Sequence, residues 1–260
     1  DSSILSGIPA VINIIFNALK GNNFRVIIRK LVKRLENSNS SAALKWAKDN
    51  VNISTDEFCR KIDEKLFQHV KQDISKIESN ANQELEKIGI DLGGGGNYLL
   101  LYFLVRKFKP SNIVETGVAA GWTSLAILHA LEKNGKGRLY SSDFPYFRLE
   151  NPEQNIGILV KDNNLKTRWY LDTSGDEMSL PRINTLLGEQ KIHLFHYDSD
   201  KSYSGRNFAL KTLKDKFESS CIIIFDDIQD NLHFKELVAE GALKYTILEF
   251  QNKYIGMIGI

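Results

Sequence analysis

Asp198 and Asp200 stand in the segment FHYDSDKSYSG, and Asp226 and Asp227 close the run CIIIFDD. Each pair follows strand-like sequence, so these carboxylates converge at neighbouring strand ends. Crowded carboxylates repel one another, and that cost points to a bound cation or to raised pKa values. Hard oxygen ligands favour magnesium, calcium or manganese over zinc, and no Cys/His cluster competes with them. DSDKSY begins like a calcium-binding loop, but Tyr203 stands where that loop needs glycine and Ala209 where it needs glutamate. The other role open to Asp226 and Asp227 is to cap the helix that follows. His193 and His196 lie on the strand before Asp198. His196, nearer the carboxyl end, is the candidate for chemistry; a satisfied core histidine is the alternative.

A second constellation is VETGVAAGWTS, with Glu115, Gly117 and Gly121 spaced E-x-G-x-x-x-G. Glycines there let the backbone approach a ligand, and the next helix offers free N–H groups at its start. Thr123 or Ser124 would cap that helix without any ligand. Ala119 replaces the second glycine of the dinucleotide fingerprint, which weakens a dinucleotide reading. The next strand ends at Asp143 in YSSDF, where a carboxylate can accept from both hydroxyls of a ribose. Together the two features favour an adenosine-bearing ligand.

These residues need a sheet to hold them. After Pro110, NIVE, GRLYSSD, TRWYL, KIHLFHYD and CIIIFDD read as buried strands, and WTSLAILHALEKNG, RNFALKTLKDKF and NLHFKELVAEGAL read as helices between them. The alternation predicts right-handed βαβ crossovers in an α/β fold, a Rossmann-like doubly wound and mostly parallel sheet. YTILEF and YIGMIGI, joined at Gln251–Lys253, predict an antiparallel C-terminal hairpin. Before residue 110 the periods are helical. Phe24, Ile27, Ile28, Leu31 and Leu35 form one stripe, with basic residues on the other faces, which reads as a packed helix with a solvated side. Residues 37–41 read as a loop. Ser54 with Glu57 makes a capping box for a helix running past Phe67 and Val70. Gly93–Gly96 reads as a hinge or loop, and secondarily as backbone brought close to a ligand.

The composition is that of a globular protein: 260 residues, 42% hydrophobic and 25% charged. Lys+Arg 34 against Asp+Glu 32 is too balanced for a general nucleic-acid binder. The apolar run Ile4–Leu19 is short and interrupted by Ser6, Gly7, Pro9, Asn13 and Asn17, which argues against a stable membrane span. Cys59 and Cys221 make no disulfide framework, and a cytoplasmic setting fits them.

VETGVAAGWTS, Asp143, HYDSDKSY and IIIFDD, in that order at strand ends, resemble class I S-adenosylmethionine-dependent methyltransferases. The nearest branch is the metal-dependent small-molecule O-methyltransferases, with the sugar- and macrolide-modifying enzymes related to them. The resemblance spans roughly Tyr98 to Ile260. It implies a seven-stranded sheet, with Glu115, Gly117 and Gly121 at the methionine end of S-adenosylmethionine and Asp143 on the ribose. Thr123, Ser124 and Asp198 would border the cofactor, and Asp172 its adenine. It assigns a divalent cation, magnesium by preference, to Asp198, Asp226 and Asp227. Lys201 occupies the place of the general base in the catechol-type members; pairing with Asp198 or Asp200 is its other role. His196 is the second catalytic candidate.

The expectation is therefore a metal-assisted S-adenosylmethionine-dependent O-methyltransferase, acting on a hydroxyl of a sugar or natural product. Residues 1–92 would be a helical region that covers the acceptor or joins copies of the chain, and residues 93–260 the cofactor-binding domain. Two alternatives stand beside it: a nicotinamide-dependent oxidoreductase on a similar sheet, and a non-catalytic module that binds a membrane or protein through the helical N-terminus.

Overall fold

The computed structural model describes residues 39–51, 53–89, 92, 94–144 and 153–260. The apolar run Ile4–Leu19 and the basic amphipathic stripe of residues 24–35 lie outside the described residues. In chain order the elements are α1 (Ser40–Asn50), β1 (Ile53–Ser54), α2 (Thr55–Ile88), α3 (Tyr98–Phe108), β2 (Asn112–Thr116), α4 (Trp122–Asn134), β3 (Arg138–Ser142), α5 (Asn163–Lys166), β4 (Trp169–Asp172) and α6 (Asp176–Leu187). Then come β5 (Ile192–Tyr197), α7 (Tyr203–Leu213), β6 (Phe217–Phe225), α8 (His233–Glu240), β7 (Tyr245–Phe250) and β8 (Lys253–Ile258).

The strands form one sheet in the order β1-β7-β8-β6-β5-β2-β3-β4. All neighbouring pairs are parallel except β8, which runs antiparallel to β6 and β7 as the hairpin pattern predicts. The sequence accounts for seven of these strands. The extra one, β1, is a two-residue strand beside β7, too short to carry a period. Strand order reverses at β2, whose neighbours are β3 and β5. In such sheets the crevice at the carboxyl ends beside the reversal is where ligands bind.

Side chains alternate between two cores. Ile113, Leu194, Ile222 and Ile224 face α2, α3 and α4, where Phe67, Phe103 and Leu128 fill the space. Val114, Phe195, Ile223 and Phe225 face the other side, against Leu180 and Ile183 of α6 and Ala209 and Leu213 of α7. Period two then fixes the polar positions. Glu115 and His196 continue the rows of Ile113 and Leu194, so they point into the α3–α4 face. Both are buried.

The N-terminal helices are bound into this arrangement. Ser54 caps α2, its Oγ accepting from Glu57 N at 3.2 Å, as the capping box predicts. The helix kinks at Asp63, which leaves helical geometry, accepts from Leu66 N at 3.0 Å and pairs with Lys107 at 2.8 Å. Three helices escape the sequence patterns: α1, α6 and the four-residue α5. α1 starts inside the expected loop, because it buries only Ala43 and Ala47 and shows a faint stripe. α6 contains Pro181, which removes a helix donor and reads as a breaker. No helix among the described residues is long and apolar enough to cross a membrane.

Candidate active site

Ser141, Glu115 and His196 lie side by side across β3, β2 and β5, because the parallel register pairs Glu115 with Ser141 and with His196. Glu115 is fully buried. Its Oε1 accepts from Thr123 Oγ1 at 2.6 Å, and its Oε2 accepts from Ser124 Oγ at 2.5 Å and Ser141 Oγ at 2.9 Å. A buried carboxylate is tolerated when hydrogen bonds replace its water, and here the start of α4 supplies two of them. Thr123 and Ser124 therefore do not cap α4: its N-cap is Gly121, with no side-chain cap.

The loop from Gly117 to Gly121 turns sharply between β2 and α4. Gly117 has φ +82, and a Cβ there would fall 2.2 Å from the carbonyl oxygen of Asp198. Gly121 has φ +99, with Gly157 Cα 3.0 Å from its Cβ position. Both the backbone and the space demand glycine. Ala119, where the dinucleotide fingerprint has glycine, also takes a left-handed conformation, φ 51. Asp143 offsets that strain, its Oδ2 accepting from Val118 N at 2.9 Å and Ala119 N at 2.6 Å. The glycine loop and the strand-tip aspartate thus form one unit.

Asp172 ends β4 with its carboxylate engaged by Arg182 Nη1 at 3.0 Å and Ser174 N at 2.9 Å. Burial favours its neutral form, but these hydrogen bonds outweigh burial and lower its pKa. Asp176, at the start of α6, accepts from Ser142 Oγ at 2.6 Å and from Ser199 Oγ. Burial, aided by the nearby Asp143 and Asp200, raises its carboxyl to about 6.

The acidic cluster forms where β5 and β6 end. Ligand atoms of His196, Asp198 and Asp226 lie within 4.8 Å of one another. The imidazole of His196 stands between two carboxylates, Nδ1 3.8 Å from Glu115 Oε1 and Nε2 3.8 Å from Asp226 Oδ1. These are ionic contacts beyond hydrogen-bond length, and among the described residues neither ring nitrogen nor Asp226 Oδ1 has a hydrogen-bond partner. Burial disfavours a charged imidazole, but the flanking Asp226 and Glu115 outweigh it and raise His196 to about 10. Burial and the neighbouring Asp226 push Asp198 up to about 7. Burial acts the same way on Asp226, but His196 outweighs it, with help from Lys253 and Lys201, and holds Asp226 low.

Asp227 is not brought into this group. Its φ of 52 turns the chain, and its carboxylate meets Lys201, Lys253 at 3.6 Å and Gln229 Nε2 at 2.9 Å. Of the three carboxylates expected around a cation, Asp198 and Asp226 converge, and His196 stands where Asp227 was expected. Lys201 pairs with Asp227 rather than with Asp198 or Asp200. Neither Asp226 nor Asp227 caps α8, whose N-cap is Leu232.

Sequence reasoning missed Arg206. It is fully buried, and its Nη2 donates to the carbonyl oxygens of Asp226 and Asp227, each at 2.9 Å, while Nη1 donates to Asn231 Oδ1 at 3.3 Å. Nothing in RNFALK distinguishes it from a solvated helix residue. Asp176 and Ser141 were missed too, because hydroxyls and carboxylates near turns are common.

With this geometry in hand, comparison with known proteins adds three findings. Residues 114–228, less than half of the chain, match the family model of a methyltransferase domain. No curated protein matches the chain in sequence. Solved structures share the fold. A methyltransferase from Geobacter sulfurreducens is 17% identical with a TM-score of 0.51, over 70% of this chain and 88% of that one. An O-methyltransferase of tomaymycin synthesis from Streptomyces achromogenes, in complex with S-adenosylmethionine, is 15% identical with a TM-score of 0.53, over 70% and 88%. The methyltransferase PaMTH1 from Podospora anserina, bound to S-adenosylhomocysteine, is 15% identical with a TM-score of 0.52, over 75% and 96%. The family match favours methyl transfer over the dinucleotide alternative.

Proposed function

We propose that this chain, whose residues 114–228 match the family model of a methyltransferase domain and whose sheet shares the fold of solved methyltransferases, is an S-adenosylmethionine-dependent O-methyltransferase acting on a hydroxyl of a small molecule, a sugar or natural product, with a divalent cation at its acidic cluster. The observation that carries this reading is the convergence of His196, Asp198 and Asp226 against the turn at Gly117. The structural relatives that are O-methyltransferases support the choice of oxygen as acceptor atom.

In this reading the loop Gly117–Gly121 receives the methionine end of the cofactor and Asp143 its ribose, while Glu115 fixes Thr123, Ser124 and His196 beside them. Asp172 borders the adenine. The acidic cluster suits a hard cation: Asp226 Oδ1 is buried without a hydrogen-bond partner, and two carboxylates face one another. Asp198 and Asp226 would hold the ion, with magnesium the preferred species, and His196 would join them only as the neutral imidazole. A bound divalent ion supplies positive charge that lowers the pKa of the acceptor hydroxyl. Held by the Gly117–Gly121 loop and Asp143, S-adenosylmethionine would supply an electrophilic methyl group, the acceptor oxygen forming the new C–O bond as the C–S electron pair passes to sulfur. Lys201, the more exposed member of its pair with Asp227, would take the hydroxyl proton as the free amine, after its ammonium has released a proton to solvent. Orientation supplies much of the rate, since well-placed reactants gain about 7–11 kcal/mol. In this reading the start of α2, tied to Asn97 through Thr55, would wall the acceptor, whereas α1 packs in the opposite core through Ala47. The free, buried Cys59 and Cys221 suit the cytoplasm.

The test is calorimetric binding of S-adenosylhomocysteine, followed by turnover of S-adenosylmethionine with a panel of hydroxylated acceptors, with magnesium and with a chelator. Absence of cofactor binding in folded protein overturns the whole reading. Turnover indifferent to the chelator and to Asp198→Asn overturns its metal part alone.

A further inference from the structure

The glycines before α3 have different surroundings. At Gly94 an added Cβ would meet nothing within 4 Å among the described residues, whereas at Gly95 it would fall 2.4 Å from Trp122 Cβ. At Gly96 it would lie 2.6 Å from Asp226 Oδ2, 3.4 Å from Asp198 Oδ2 and 3.3 Å from Thr123 Cγ2. Residue 96 thus faces the space between the two carboxylates that converge at the cluster. Its φ lies outside the left-handed region, so the requirement at this position is for room and not for backbone freedom.

The segment is tied down from several sides. The Gly96 carbonyl accepts from Tyr98 N at 2.8 Å. Asn97 is buried; its Oδ1 accepts from Leu100 N at 3.0 Å, and its Nδ2 donates to Thr55 Oγ1 at 2.8 Å. The Tyr98 ring stacks on Trp122 at 5.3 Å, and its hydroxyl donates to Glu78. These bonds tie Gly96 and the start of α3 to α2 and α4, in the loop that the glycine run predicts.

We infer that Gly96 is a positioning residue for the cation site: by lacking a side chain it keeps open the space between Asp198 and Asp226, and the Asn97–Thr55 bond holds it there. The inference rests on the metal-assisted reading above. A methyl group at residue 96 would displace the Asp226 carboxylate, which is buried and has little freedom to turn.

The experiment measures manganese binding by water-proton relaxation in the full chain, wild type against Gly96→Ala and Gly94→Ala. Gly94→Ala is expected to bind as wild type, and Gly96→Ala about tenfold or more weaker, since ligand sets tolerate only about 0.5 Å of misplacement. S-adenosylhomocysteine affinity, read by calorimetry, is expected to stay unchanged in both. If wild type binds manganese and Gly96→Ala binds it equally well, this inference falls alone. If wild type binds none, the metal reading falls and takes the inference with it. Thermal melting in an Asp226→Ser background gives a second readout, which also decides the case in which Gly96→Ala folds poorly. Without Oδ2 the added methyl has room, so the loss of melting temperature caused by Gly96→Ala is expected to disappear. An equal loss in both backgrounds overturns the inference.

Discussion

Arg206 donates from Nη2 to the carbonyl oxygen of Asp226 at 2.9 Å, deep beneath the acidic cluster. The same nitrogen reaches the Asp227 carbonyl, so one guanidinium fixes the backbone of both acidic residues after β6. A buried acceptor left without a donor costs about 1–3 kcal/mol. Arg206→Leu strands the Asp226 carbonyl and leaves the Asp227 carbonyl only its bond from Asp230 N at 3.1 Å, so it is expected to lower stability by about 2 kcal/mol, read by urea denaturation. Arg206→Lys is expected to recover only part of that, because an ammonium lacks the planar fork. A change in Arg206→Leu of under about 1 kcal/mol would contradict this account.

Glu115 makes a second prediction. Its two oxygens accept three hydroxyl hydrogen bonds, and such bonds to a charged acceptor are the stronger kind. Glu115→Gln keeps the shape and removes the charge. The variant is expected to lose about 2 kcal/mol of stability. Asp143→Asn, whose one remaining oxygen can take the place of Oδ2 and accept from Val118 N and Ala119 N while the bond from Phe144 N is lost, is expected to lose less. Equal losses in the two variants, measured side by side by thermal melting, would sink the ranking.

The sheet and the acidic strand ends could be read from sequence because period-two burial is written into Ile113, Val114, Leu194 and Phe195, and carboxylates interrupt it where each strand stops. What could not be read depends on side-chain direction beyond the strands. Asp227 turns away from Asp226 because its backbone is left-handed, and no residue type signals that turn. Arg206 is buried by the carbonyls it grips, which are invisible in a sequence. β6 begins at Phe217, earlier than its apolar run, because Ser219 and Ser220 on the strand are exposed.

Asp176 gives a pH prediction with a definite sign. Its carboxyl is raised from 3.8 to about 6 in the folded protein. Between those values the folded state holds a proton that the unfolded chain has released, so stability falls as pH rises through that window and levels off above it. Asp176→Asn can still pair with Ser142 and Ser199 but does not titrate. The melting temperature of the variant relative to wild type is therefore expected to climb from pH 4 to pH 7 and then hold constant. A difference that is flat across the range would show that Asp176 titrates at its ordinary value, and one that falls that its pKa is lowered; either contradicts the account.

Lys201 has two roles that a pair of substitutions separates. As the partner of Asp227 it needs only a positive charge, which arginine keeps. As the base that takes the acceptor proton it must be able to lose its own, which arginine cannot do. Removal of a general base costs about 10²–10⁴-fold in turnover, so Lys201→Met and Lys201→Arg are both expected to fall by that factor while S-adenosylhomocysteine affinity stays within about threefold. Lys253 also faces Asp227, at 3.6 Å, and keeps that carboxylate paired in either variant. If Lys201→Arg instead turns over at the wild-type rate while Lys201→Met does not, the lysine acts through its charge alone, and the proton must leave by another route.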